Sequence, residues 1–271
     1  MPQLPAPDQT TLHYIRTGPR GNTPILLLHA VGMDLTMWGP QIEALQKSCD
    51  VIALDLPGHG LSPEIGKALS FSYFATAVVQ VVDSLATGPV HLIGISFGGM
   101  VAQTIAVEHP ALVRSLSLIG TACTFPEAGR TALRGRASFA RREGMRALAP
   151  LSLARWFTPE FSQRRPDVLD GITKLLYRQD ATSHAVLWDL IATLDTQAGL
   201  LASKVPALLI VGEQDTSTPV AAAQQLAQAL RTPHVHIVPG SAHFTNLEAP
   251  ELVNDLLLHF LASCSTQSEL G

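Results

Sequence analysis

Three side chains in this chain of 271 residues could together turn a hydroxyl into a nucleophile: Ser96, Asp215 and His243. A serine hydroxyl attacks poorly at neutral pH unless a base removes its proton, and the base needs a third group to orient it. Ser96 stands in Gly94-Ile95-Ser96-Phe97-Gly98-Gly99, between the apolar run Val90-His91-Leu92-Ile93 and a helix-like stretch from Met100 onward. A buried strand running through Gly-x-Ser-x-Gly into a helix puts the serine on a sharp turn, where neighbours without a Cβ let the two elements pass closely. Asp215 lies in Gly212-Glu213-Gln214-Asp215, after the apolar run 205–211, and His243 lies in Gly240-Ser241-Ala242-His243-Phe244, after the run 235–238. All three therefore fall just past the end of a predicted buried strand.

Rivals exist for the acid and the base. Glu213 is two residues from Asp215, which is preferred because it sits deeper in the loop, just before the next helix. An Asp in that position could also simply cap the helix. Of the ten histidines, His13, His91, His234 and His236 lie on or beside strands, and His109 and His259 lie at or near helix ends. His59 belongs to Pro57-Gly58-His59-Gly60, which reads as a structural chain reversal. His184 could touch a substrate.

The elements that must position these residues alternate regularly. Apolar runs at 25–28, 51–54, 90–93, 116–119, 205–211 and 235–238 predict strands buried on both faces. Helix-like stretches at 37–45, 71–85, 97–108, 219–230 and 250–262 separate them. Ser72 is a candidate N-cap for the second of these, and Thr218 caps a helix begun by Pro219. The stretch 11–16 predicts an edge strand. Alternation of this kind gives an α/β fold, a mostly parallel sheet flanked by helices, with ligands gathering at the carboxyl ends of the strands. The loop after 25–28, His29-Ala30-Val31-Gly32-Met33-Asp34, lies at that end. There the backbone N–H of Val31, with that of Phe97, could hold a developing oxyanion. His29 reads equally well as a structural residue. Between 120 and 204 the alternation stops, and 127–148, 151–155, 166–178 and 183–193 all predict helices. The expected organisation is a core of 1–120 and 204–271 with an all-helical cap, 121–203, inserted into it.

Composition narrows the remaining classes. At 46% hydrophobic the chain can bury a large core, and a net charge of −4 with an isoelectric point near 6.2 argues against a nucleic-acid surface. The charge is uneven: 121–203 holds 11 Lys+Arg against 8 Asp+Glu, the rest 7 against 14. Solvated helix faces account for such a segment. Cys49, Cys123 and Cys264 are few and widely spaced, which points to no disulfide framework and no metal site. No stretch approaches a membrane span, and Met1 to Pro5 lacks the basic start of a leader. A cytoplasmic protein without cofactor, acting on a small molecule, is expected; oligomeric state is not legible.

With these residues placed, the chain resembles the α/β-hydrolase family over essentially its whole length, and within it the 3-oxoadipate enol-lactonases. Nucleophile, acid and histidine follow in that family's chain order. Gly32-Met33-Asp34-Leu35-Thr36-Met37-Trp38, followed by Pro40-Gln41-Ile42, is similar to the oxyanion-loop region of these enzymes. Ala154-Arg155-Trp156-Phe157-Thr158-Pro159-Glu160-Phe161 is similar to a run in their cap. The resemblance implies Ser96 as nucleophile, Asp215 as orienting acid, His243 as base and a helical lid, with His29, Trp38, Trp156 and Leu194 as candidate pocket residues. One departure bears on substrate: in Ala192-Thr193-Leu194-Asp195, Leu194 stands where those enzymes usually carry Arg. Losing a guanidinium partner for a carboxylate predicts a neutral ester or lactone, unless Arg155 or another cap arginine substitutes. The expected activity is serine-dependent hydrolysis of a carboxylic ester or lactone without cofactor or metal. C–C bond hydrolysis or perhydrolysis by the same residues is the alternative within enzymes, and a non-turnover ligand receptor the alternative outside them.

Overall fold

Uninterrupted aliphatic runs set the sheet. Ile25–Leu28, Val51–Leu54 and Val90–Ile95 are buried along their full length, as strands covered on both faces must be. The computed structural model describes residues 3–5, 11–63, 69–232 and 234–266. Met1 and Pro2, where a leader was sought, and 267–271 of the expected core lie outside the described residues. The strands in chain order are β1 (Gln3–Pro5), β2 (Thr11–Thr17), β3 (Ile25–Leu28), β4 (Val51–Leu54), β5 (Val90–Ile95), β6 (Val113–Ile119), β7 (Ala207–Gly212) and β8 (Val235–Val238). They form one sheet ordered β1-β2-β4-β3-β5-β6-β7-β8. β1 and β2 pair antiparallel, as do β2 and β4; every other pair is parallel. The stretch 11–16 is thus not the edge: the three-residue β1 covers it, too short and proline-terminated to show a strand pattern.

The helices in chain order are α1 (Gly39–Leu45), α2 (Phe71–Ser84), α3 (Phe97–Glu108), α4 (Glu127–Trp156), α5 (Pro159–Arg164), α6 (Pro166–Tyr177), α7 (Ala181–Ile191), α8 (Gln197–Ala202), α9 (Val220–Leu230), α10 (Thr245–Glu248) and α11 (Pro250–Thr266). Three sequence expectations are corrected. The helix expected at 37–45 starts as a 3-10 turn, Leu35–Trp38, capped by Asp34, and becomes regular only at Gly39, next to Pro40. Ser70, not Ser72, caps α2 by accepting from the Tyr73 N–H; the Ser72 hydroxyl instead donates to Glu108 at 2.6 Å. Thr218 does not cap α9, whose N-cap is Pro219.

Five helices, α4 to α8, fall between β6 and β7. α4 covers both stretches expected as separate helices, and its break falls at Gly144, φ 78° and ψ 174°, giving two limbs. α5 and α8, both short, had no periodic signal. The inserted segment leaves and rejoins the sheet domain at one antiparallel bridge, Thr124 with Asp195. Arg130 fastens this neck by donating to the Thr124 hydroxyl and the Leu194 carbonyl, each at 3.1 Å. Among the described residues no helix is long and apolar enough to cross a membrane.

Candidate active site

Ser96 occupies the turn between β5 and α3 at φ 51° and ψ −117°, a conformation costly for a residue with a Cβ. Its own backbone is held there. The Ser96 N–H donates to the Ile119 carbonyl at 2.9 Å, and its carbonyl accepts from the Thr121 hydroxyl at 2.9 Å. The flanking glycines are required by contact: a Cβ on Gly94 would meet the Gly98 carbonyl at 2.5 Å, and one on Gly98 the Leu28 carbonyl at 2.1 Å. Phe97 anchors the start of α3, its buried ring lying 5.0 Å from that of Phe74 and 5.9 Å from that of Phe71.

Asp215 and His243 come from the loops after β7 and β8, two and three strands along from β5. Asp215 Oδ2 lies 2.8 Å from His243 Nδ1. The same oxygen accepts from the Thr218 hydroxyl at 2.9 Å, while Oδ1 accepts from the N–H groups of Ser217 at 2.7 Å and Thr218 at 3.0 Å. Burial works to raise the Asp215 carboxyl, but the charge and hydrogen bond of His243 and the Thr218 donors outweigh it, holding the group below the ordinary carboxylate range. With Nδ1–H directed to Asp215, Nε2 of His243 is left as the basic nitrogen. Glu213, the rival acid, is exposed, and its carboxylate accepts from the Gly240 N–H at 3.0 Å. Gly120, at the end of β6, lies between these residues and Ser96: a Cβ there would come within 3.0 Å of the His243 carbonyl and 3.4 Å of Asp215 Oδ2. Among the described residues, no hydrogen bond joins the Ser96 hydroxyl to His243.

Val31 and Phe97 are buried, and among the described residues neither backbone N–H has a protein acceptor. His29 resolves as structural. Its Nε2 accepts from the Leu56 N–H at 2.9 Å and its Nδ1 lies 2.9 Å from the Ala30 carbonyl, so both ring nitrogens are spent on pinning β3 to the loop after β4. Burial, then the neighbouring His59, lowers its pKa well below the usual histidine value. It therefore offers the candidate pocket no polar group. His59 packs edge-on against it at 4.9 Å, in keeping with a structural turn. Trp38 is fully buried, and among the described residues its indole N–H has no partner. The Trp156 carbonyl accepts from the N–H groups of His243 at 3.1 Å and Phe244 at 3.2 Å. Leu194 is buried in the neck, where its carbonyl accepts from Arg130.

Glu248, Gln179 and Trp188 had no sequence signal as positioning groups, and His184 stood out there only as a residue that could touch a substrate. Glu248 of α10 accepts from the Thr158 N–H and hydroxyl at 2.7 and 2.8 Å and from the Ser241 hydroxyl at 3.0 Å; it also accepts from the Ala242 N–H. One carboxylate thereby joins the His243 loop to the start of α5. A second link runs from α7: the Trp188 indole donates to His184 Nε2 at 2.9 Å, His184 Nδ1 donates to Gln179 Oε1 at 2.8 Å, and the Gln179 amide donates to the Gly32 carbonyl. His184 and Gln179 also line a cavity of about 490 Å³ with Asp34, His59, Leu175 and Leu187.

Residues 25–256 match the family profile described as alpha/beta hydrolase family. A 3-oxoadipate enol-lactonase of Acinetobacter baylyi is 28% identical over 91% of this chain and 91% of its own length. A hydrolase of (E)-2-((N-methylformamido)methylene)succinate from the same organism is 27% identical over 94% of this chain and 95% of its own length. The crystal structure of the enol-lactonase from Burkholderia xenovorans superposes with a TM-score of 0.87 at 32% identity, covering 96% of this chain and all of that one. Matched along most of its length by profile, by sequence and by fold, the chain belongs to the alpha/beta hydrolase family.

Proposed function

We propose that this hydrolase cleaves a small carboxylic ester or lactone through a covalent acyl intermediate on Ser96. The observation that carries the reading is the buried Asp215–His243 hydrogen bond, with Nε2 of the imidazole left free, beside a serine held in a strained turn on the same edge of the sheet. Nε2 of His243 takes the Ser96 proton as the oxygen attacks the carbonyl carbon, while Asp215 fixes the tautomer and stabilises the imidazolium. The N–H groups of Val31 and Phe97 receive the negative charge on the carbonyl oxygen. The imidazolium then protonates the leaving alkoxide, which in a lactone stays tethered to the acyl chain. His243 next removes a proton from water, the hydroxide attacks the acyl carbon, and Ser96 leaves with the proton restored to it. Segment 121–203 serves as the cap over this site, and no step uses a metal or cofactor.

The similarity to the enol-lactonases supports a lactone as readily as an open ester. Replacing Ser96 with Ala is expected to lower kcat on an activated aryl ester by about a thousandfold or more with the fold retained. A fluorophosphonate should label Ser96 and no other residue in a peptide map. Near-native turnover by the Ala variant would remove the serine from the mechanism.

A further inference from the structure

The loop after β3 starts beside the serine turn. Leu28 pairs with Gly94, two residues before Ser96, and a Cβ on Gly98 would meet the carbonyls of Leu28 at 2.1 Å and His29 at 2.6 Å. The His59 ring lies near both elements, its centre 4.9 Å from that of His29 and 6.3 Å from that of Phe97. Ala30 to Met33 then form a turn, closed by the Met33 N–H on the Ala30 carbonyl at 3.1 Å, with Gly32 in third place at φ 76°. A type II turn requires a positive φ at its third residue, and glycine supplies it without strain. Val31, whose N–H receives the oxyanion in the proposed mechanism, is the second residue of this turn.

Gln179, between α6 and α7, grips the turn from the inserted segment. Its amide donates to the Gly32 carbonyl, which among the described residues accepts from no other group. The fit is close: a Cβ on Gly32 would lie 3.0 Å from His184 Cε1, 3.1 Å from Leu176 Cδ2 and 3.5 Å from Gln179 Nε2. A side-chain amide can turn either its oxygen or its NH2 to a neighbour, so its direction needs a cause. That cause is Trp188, whose indole N–H can only donate. It donates to His184 Nε2 at 2.9 Å, which makes that nitrogen the acceptor and leaves the ring proton on Nδ1. Nδ1–H faces Gln179 at 2.8 Å, so the amide must present its oxygen there and its NH2 to Gly32. A charged imidazole could not accept from the indole; burial, then His59, lowers His184 to about 3 and keeps it neutral. Three donors therefore run one way, from α7 to the turn.

We infer that Gln179 is a positioning residue for the oxyanion hole: its amide, oriented by His184 and Trp188, holds the turn that presents the Val31 N–H. The inference rests on the serine hydrolase reading, with Val31 and Phe97 as the oxyanion donors. An N–H stabilises a developing oxyanion most when it is aimed before the charge appears, because no reorganisation is then needed during the reaction. Gln179 acts through the turn and touches no reacting atom. Its contribution is made in the transition state and not in ground-state binding, so its loss belongs in kcat rather than in KM.

The test uses the full-length protein with 4-nitrophenyl butyrate as substrate and phenylboronic acid as inhibitor. Boron takes the Ser96 oxygen as its fourth ligand while His243 takes the proton, which leaves a tetrahedral anion in the site. Gln179→Met keeps the length of the side chain and loses the donor. It is expected to lower kcat about tenfold, to change KM by less than about twofold, and to weaken phenylboronic acid binding by about the same tenfold. Trp188→Phe, which removes the indole donor, is expected to lower kcat about threefold, with no further loss when it is added to Gln179→Met. Should Gln179→Met fail to fold, Gln179→Glu at pH 8 keeps the shape and the bond from His184 but sets an acceptor against the Gly32 carbonyl, and is expected to lose at least as much in kcat and in boronate affinity. A merely structural contact would lower Tm and leave kcat and boronate affinity of the folded protein as in the wild type; that result would overturn the inference. So would a loss confined to KM, a fall in kcat without a matching fall in boronate affinity, or losses in Trp188→Phe and Gln179→Met that multiply. A wild type that neither turns over the ester nor binds the boronate would sink the serine hydrolase reading itself, and the inference with it.

Discussion

At residue scale the strained backbone of Ser96 has a measurable cost. A residue with a Cβ at φ 51° and ψ −117° is held there by its bonds to Ile119 and Thr121 rather than by its own preference. Ser96→Gly removes the Cβ conflict, and is expected to raise stability by about 1 kcal/mol, or a few degrees in Tm, while abolishing turnover. A fall in Tm would show that the turn is not strained. Ser96, Asp215 and His243 were legible because each needed only a strand end and a chemical type. Thr218 was misread as a cap because Thr before Pro signals a helix start equally well; only the fold shows its hydroxyl on Asp215.

At the scale of elements, the position of His243 depends on α10 as much as on β8. Glu248 satisfies donors on Ser241, Ala242 and Thr158 together, and replacing it with Ala strands buried N–H groups without acceptors. Glu248→Ala is expected to lower kcat about tenfold or more on any ester and to destabilise by about 2 kcal/mol, read by steady-state rates and urea melts. Glu248→Gln, which keeps an acceptor, should recover part of both. An unchanged kcat in the Ala variant would detach the His243 loop from this clasp. The alternation of strands and helices was readable because parallel strands buried on both faces are continuous apolar runs. β1, α5, α8 and α10 were not, being three to six residues long and held by tertiary contacts rather than by periodicity.

At the scale of the whole molecule, buried neutral histidines set the response to acid. Burial lowers His29 and His59 below the ordinary 6.5, His91 to about 4 and His184 to about 3. In the unfolded chain each takes up a proton near 6.5, whereas the folded protein resists it. Stability from these groups is therefore complete above 6.5 and falls as pH drops from there toward 4 and below, by up to about 1.4 kcal/mol per pH unit for each histidine. Asp215, held low by His243, adds a loss at the acid end of the same range. Urea midpoints should be flat from pH 8 to 7 and decline steeply from pH 6 to 4.5, and His91→Gln should make the decline shallower by about one proton. A midpoint independent of pH down to 4.5 would contradict the neutral assignments.

The inserted helices are tied to the rest of the molecule at several points, among them the Thr124–Asp195 neck, Gln179, whose amide donates to the Gly32 carbonyl, and Trp156 and Thr158, which hold the His243 loop directly and through Glu248. The bonds from Trp156 and Thr158 differ from the neck in that they end on the His243 loop and on Glu248, which holds that loop. The backbone that carries the imidazole is thus shared between the inserted helices and the sheet domain, so a change packed into α4 or α5 reaches His243 without touching a strand.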